Sequence, residues 1–300
     1  VSTVRLADPA RGRPRWALAR DLWALTKPSI NRMCLLTAAG GMAMAPAALG
    51  PWQIVWALLG TALAVGSANA LNMWWEREAD QLMKRTRDRP LPAGRVPDPV
   101  ALGFGIALGL GATVTLAFGT NLATTAVGLL ALGSYVLIYT PLKYKTPLAL
   151  VVGAIPGAAP PLMGWTAATG SFDAAGLVLF ATLFVWQMPH FLAIAIFRKH
   201  DYAEAGIQTV SVVRGVRAAK VQALLWAIPL GPVSALLTPL GVTGTGYAVV
   251  ALVAGAAMAL YAAAGFRARS DARWAYRLFG LSLVYLPVLI IALVLDLALA

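Results

Sequence analysis

Asn72, Glu76 and Asp80 recur at intervals of four in the stretch Ala-Asn-Ala-Leu-Asn-Met-Trp-Trp-Glu-Arg-Glu-Ala-Asp, residues 68–80. On a helix, each step of four turns the side chain by only about 40°. The three therefore form one stripe, while Glu78 falls about 160° away from Asp80. Two carboxylates and an amide are oxygen ligands, and an all-oxygen set suits a hard cation such as Mg²⁺. The same stripe would also serve as a solvated helix end. Asn69 and Asn72 argue against that, because amides in an otherwise apolar membrane segment are costly without a partner.

Basic residues follow at once in Lys84-Arg-Thr-Arg-Asp-Arg-Pro-Leu-Pro-Ala-Gly-Arg95. Acids beside bases match a metal-bridged diphosphate, whose metal takes the carboxylates and whose free oxygens take Arg and Lys. Pro90 and Pro92 should stiffen this loop. A second polar segment runs from Trp186 to Gly206, with His190, Arg198, Lys199, Asp201, Tyr202 and Glu204. His190 and Arg198 share a helix face, and Pro189 should kink the helix and free a carbonyl. His190 lies within the uncharged part of the segment, where it needs a partner and reads either as a packed hydrogen-bonding group or as a ligand. A third loop, Tyr139-Thr-Pro-Leu-Lys-Tyr-Lys-Thr-Pro147, offers Lys143 and Lys145 either to a phosphate or as interfacial anchors.

These residues must be positioned by a membrane protein. Hydrophobic residues make up 59% of the 300, and charged residues only 12%; soluble domains are nearer a quarter charged. Residues 33–75, 99–142 and 221–266 carry no charged residue or histidine. Residues 146–197 hold only Asp173 and His190, and residues 278–300 only Asp296. A membrane helix needs about 20 apolar residues. The first four stretches each fit a helical hairpin and the last fits one helix, giving nine in an all-α protein. Turn-forming residues split each hairpin at 46–52, 118–122, 168–175 and 238–246.

All 24 Lys and Arg lie at the opposite ends of the hairpins, in clusters at 5–32, 77–95, 143–145, 198–220 and 267–277. Positive residues stay on the cytoplasmic side, so the N-terminus should be cytoplasmic and the C-terminus outside. The net charge of +12 then reflects topology and contact with anionic lipid, and does not call for nucleic acid. Asp8, Asp21 and Asp271 read as surface pairs, and Asp173 and Asp296 as solvated. Residues 1–24 read as a basic arm without an apparent cleavable leader, and 25–300 as one membrane domain. The single Cys34 excludes an internal disulfide, and two histidines argue against a zinc-type site.

Asn72-x-x-x-Glu76-x-x-x-Asp80, followed by Arg85-Thr-Arg-Asp-Arg-Pro90 and Ala93-Gly94, resembles the first aspartate-rich motif of the UbiA superfamily of membrane prenyltransferases. The branch whose acceptor is haem B is suggested by Tyr139-Thr-Pro-Leu-Lys-Tyr144, Trp186-Gln-Met-Pro-His-Phe191, Asp201-Tyr-Ala-Glu-Ala-Gly206 and the Lys27-Pro28 pair. Two positions depart from the superfamily pattern: Glu76 stands where Asp is usual, and the second array is thinned to Asp201 and Glu204.

The resemblance implies nine helices bundled around a central cavity, with the active site at the cytoplasmic end. It implies Mg²⁺-dependent transfer of farnesyl from farnesyl diphosphate to a vinyl group of haem B, with addition of water, to give haem O. Haem is then a substrate, and a functional link to a haem A synthase or terminal oxidase follows. On this reading Asn72, Glu76, Asp80 and Asp201 hold the metal and, with Lys143, carry the catalysis. Arg85, Arg89, Lys145, His190, Arg198, Lys199 and Tyr202 bind substrate. Trp74, Trp75 and Trp186 serve either to stabilise an allylic cation or as interfacial belt residues. A prenyltransferase acting on a quinone or phenolic ring would share the same fold and metal site. A transporter of anionic substrates is the alternative from another class.

Overall fold

The computed structural model describes residues 14–299 and is built from helices throughout. The first are α1 (Arg15–Leu25), α2 (Pro28–Met44), α3 (Pro51–Leu82) and α4 (Asp98–Gly119). Next come α5 (Leu122–Leu142), α6 (Ala149–Thr169), α7 (Ala174–Phe197), α8 (Lys199–Glu204) and α9 (Val210–Val213). The chain ends in α10 (Gly215–Ala227), α11 (Leu230–Ala235), α12 (Thr245–Ala264) and α13 (Asp271–Leu299).

Among the described residues, seven helices are long and apolar enough to cross a membrane. The expected nine fall to seven by that measure for two local reasons. Helix α2 has only 17 residues. The apolar segment after Lys220 is split by Pro229 into α10 and α11, because proline has no N–H to continue the ladder.

The turns end where the sequence supplies caps. Asn121 accepts from the Thr124 amide (2.9 Å) and opens α5. Asp173 does the same for α7 through the Gly176 amide (2.9 Å) and also accepts from the Trp165 indole (2.8 Å). Asp296 accepts from the Gly244 amide. Asp173 and Asp296, expected to be solvated, are thus tied into the loops between helices. Asp21 departs further from its expected surface position: it is 3% exposed and paired with Arg95, because α1 packs on α3 and α4. Half of the expected N-terminal arm is therefore a docked helix. Residues 1–13, with Asp8, lie outside the described residues.

Helix α6 packs on α2, α5 and α7. Its crossing with α2 is very close, since a Cβ on Gly41 would fall on the Pro161 carbonyl and one on Gly164 on the Ala38 carbonyl. Small residues permit such approaches between membrane helices. Leu110, Phe118, Leu122, Leu130 and Leu260 are exposed, as a lipid-facing surface requires. Helix α3 has 32 residues, roughly 48 Å at 1.5 Å each against a hydrocarbon core of about 30 Å. Its last turns, with Asn72, Glu76 and Asp80, therefore reach the membrane boundary.

Candidate active site

The acid stripe is buried and tightly bonded. Asn72, Glu76 and Asp80 are 3%, 7% and 1% exposed, whereas the Glu78 side chain is 85% exposed. Asn72 Nδ2 donates to Glu76 Oε1 and, at 3.2 Å, to Thr140 Oγ1. Glu76 also pairs with Lys143 Nζ. Asp80 Oδ2 accepts from Arg89 Nη1 at 2.7 Å.

Each partner is delivered by a distinct local device. Arg89 comes from the loop after α3, which folds back because Thr86 Oγ1 donates to the Asp80 carbonyl (2.7 Å) and Arg95 to the Asp88 carbonyl (3.0 Å). Thr140 and Lys143 come from the C-terminal end of α5 and the residue just after it. There the helix widens into a π-turn at Ser134–Tyr139, a distortion common at functional sites. The Thr140 hydroxyl donates to the Tyr135 carbonyl (2.8 Å). The Lys143 ammonium also lies over the Tyr144 ring, 5.3 Å from its centroid.

Lys27 was not among the site residues expected from the sequence. It has φ of 49°, the one non-glycine positive φ among the described residues. That left-handed backbone is costly for lysine, and it turns the chain so that Nζ donates to Asn72 Oδ1 at 3.1 Å. At the membrane edge before α2, burial pushes the Lys27 pKa down to about 8; Glu76 opposes this, and Arg89 and Lys143 reinforce it. Asn69 helps set the bend by donating to the Thr26 carbonyl (3.3 Å). The Lys-Pro pair was the available signal, since Pro28 occupies the first helical turn, a position that proline favours.

The second segment arrives only in part. The loop after α8 is tied to Lys143, whose carbonyl accepts from the Gln208 amide (2.8 Å). Tyr144 and Tyr202 pack with Met83, Ala205 and Ile207. Burial raises the Tyr202 pKa, while the positive charges of Arg85 and Arg198 oppose the rise, so both guanidiniums lie near it. Asp201 pairs with Arg198 (3.3 Å). Among the described residues, no group of three or more His, Cys, Asp and Glu comes together as a metal site. Lys145, Arg85 and Lys199 are exposed and make no ion pair among the described residues.

His190 is 8% exposed and has a hydroxyl partner: its Nδ1 lies 2.7 Å from Ser282 Oγ. Trp186 donates from Nε1 to the Ser282 carbonyl (2.8 Å). Trp75 is 45% exposed, and Trp74 carries the Arg77 guanidinium 5.3 Å from its ring centroid. The Lys143 ammonium that pairs with Glu76 lies 6.0 Å from the Tyr139 ring centroid as well as over Tyr144.

The site fits a hard cation in one specific respect. Asp80 Oδ1 is buried and has no hydrogen-bond partner, so a carboxylate oxygen beside Asn72 and Glu76 is left to be satisfied. Every donor in this set is oxygen, the ligand type that Mg²⁺ takes.

Over residues 34–284 the chain matches the UbiA prenyltransferase family. It is 50% identical to the protoheme IX farnesyltransferase of Anaeromyxobacter sp. (strain Fw109-5), across 96% of this chain and 97% of that protein. It is 48% identical to the protein of the same name from Myxococcus xanthus (strain DK1622), across 96% and 98%. The fold is similar to that of a digeranylgeranylglyceryl phosphate synthase, with a TM-score of 0.79 at 13% identity over 93% of this chain and 98% of that one. It is also similar to a UbiA homologue from Archaeoglobus fulgidus bound to GPP and Mg²⁺, with a TM-score of 0.69 at 15% identity over 91% and 99%.

Proposed function

The chain belongs to the UbiA prenyltransferase family, and from that premise we infer that it transfers the farnesyl group of farnesyl diphosphate to haem B, forming haem O. The observation that carries the reading is the buried set Asn72, Glu76 and Asp80, met by Lys27, Lys143 and Arg89. Acidic oxygens and cations at one desolvated point are what a metal-bound diphosphate requires.

The reaction breaks the C–O bond of farnesyl diphosphate, and the diphosphate leaves with the electron pair. The allylic cation is attacked by the vinyl π electrons of haem B. Water adds to the resulting cation beside the porphyrin ring and loses a proton, leaving a hydroxyethylfarnesyl group. Asn72, Glu76 and Asp80, with Asp201 as a fourth candidate, would hold Mg²⁺. When bound, the metal supplies positive charge to the leaving diphosphate.

The remaining work falls to the chain itself. Lys27, Lys143 and Arg89 neutralise the acids and stand ready to bind diphosphate oxygens, and Arg85, Lys145, Arg198, Lys199 and Tyr202 are the further candidates to bind substrate. Opposing the negative charge as it develops is the main lever on such a barrier. Tyr139 and Tyr144 offer ring faces to a nearby cation. The apolar bundle keeps water from reaching the allylic cation before the vinyl group attacks it.

Residues 25–300 act as one unit with nine passes: the seven long helices, the short α2, and α10 with α11 counted together. The charge distribution supports a bacterial cytoplasmic membrane location, with the N-terminus and this site on the cytoplasmic side and the C-terminus outside. Diphosphate release from the protein in lipid nanodiscs tests the reading. Release should require farnesyl diphosphate, haem B and Mg²⁺ together. Release at full rate without haem B would contradict the acceptor assignment.

A further inference from the structure

Trp186 and His190 both hold Ser282 of α13, one through its carbonyl and the other through its hydroxyl. The Ser282 hydroxyl also donates to the Phe279 carbonyl at 2.6 Å. A carbonyl has no hydrogen to give, so the one hydroxyl hydrogen of Ser282 lies on that contact. The 2.7 Å contact between Ser282 Oγ and His190 Nδ1 then needs its hydrogen from the imidazole. Two lone pairs at such a distance would repel each other. His190 is therefore fixed as the tautomer protonated at Nδ1, with the lone pair on Nε2.

Nε2 has no hydrogen-bond partner among the described residues. Its surroundings are aromatic: Trp186 stacks at 5.0 Å, Phe279 lies at 4.7 Å and Phe191 at 5.4 Å between ring centroids. A fixed lone pair in an apolar box, backed by an N–H held through a hydroxyl to a carbonyl, is the arrangement that orients metal-ligating histidines. A purely structural histidine would need only the bond at Nδ1.

We propose that His190 Nε2 binds the iron of the acceptor haem, and that Ser282 is a positioning residue that holds the ring for it. This rests on the haem reading above and adds the atom that seats the porphyrin. The iron is part of the substrate and takes no part in the bond-forming step.

The test is a titration of ferric and ferrous haem B into the protein in nanodiscs, followed by absorption and resonance Raman spectroscopy. The wild type should show an iron–histidine stretching band. His190→Gly should lose the band, bind haem at least tenfold more weakly, and regain the band on addition of imidazole. Ser282→Ala should weaken haem binding about tenfold, as removal of a partner behind a ligating histidine does. The chain has two histidines, so His200→Ala is the control. The His200 side chain is 85% exposed, and the variant should keep the wild-type spectrum.

If His190→Gly keeps the wild-type band and affinity, the proposal is overturned. It is equally overturned, without any variant, if the wild type farnesylates haem B but shows no iron–histidine band. A wild type that neither binds haem nor farnesylates it would instead overturn the functional reading beneath the proposal.

Discussion

Asp80 has one carboxylate oxygen on Arg89 and the other buried without a partner. Asp80→Ala should cut turnover by about 100-fold or more, the scale expected when a main electrostatic contributor is lost. The variant should remain folded in the membrane, because the Arg89 it leaves behind still has a side chain 22% exposed to solvent. The check is activity alongside detergent-extracted yield. Glu76→Asp should retain most activity, since it keeps the charge that faces Lys143; Glu76→Gln should not. Measured turnover of the two variants separates charge from size. The acid stripe was legible in the sequence because helical spacing is a local property. The cation on each acid was less so. Lys143 and Glu76 meet across two loops, and Lys27 reaches Asn72 only through a left-handed residue that no periodicity encodes. Likewise, nothing in the sequence near Trp186 or His190 points to Ser282, which lies 92 residues beyond His190.

The helix ends carry the site, so their packing sets its geometry. Lys27 sits at the head of α2, and α2 is fixed by its crossing with α6 at Gly41 and Gly164. Gly164→Ala would drive a methyl group into the Ala38 carbonyl, and helix backbones cannot yield as a side chain can. A loss of roughly 1–3 kcal/mol is expected for such overpacking, read as a lower thermal midpoint in detergent. Turnover should fall with it as Lys27 is displaced from Asn72. The charge-free stretches and the turn chemistry at their middles announced nearly every helix. They overstated the number of long ones, because Pro229 interrupts a segment that reads as continuous by hydropathy alone. The docking of α1 was missed for a related reason: Arg-rich composition suggested solvent, yet Asp21 is buried against Arg95.

For the molecule as a whole, the grouping of all 24 basic residues in five sequence clusters supports an orientation that can be measured. A reporter fused after Ala300 should behave as extracytoplasmic and one inserted at Arg269 as cytoplasmic. The same side for both would break the nine-pass reading. On the proposed orientation the acid array and the basic loops would share the cytoplasmic face. The most direct test is acceptor choice. Protein in nanodiscs is incubated with labelled farnesyl diphosphate and Mg²⁺, and with either haem B or 4-hydroxybenzoate. Label should enter the porphyrin fraction in the wild type, fall to background in Asp80→Ala, and not enter the phenolic acid. Label in 4-hydroxybenzoate with none in haem would contradict the assignment of the acceptor, and undiminished transfer by Asp80→Ala would contradict the assignment of the site.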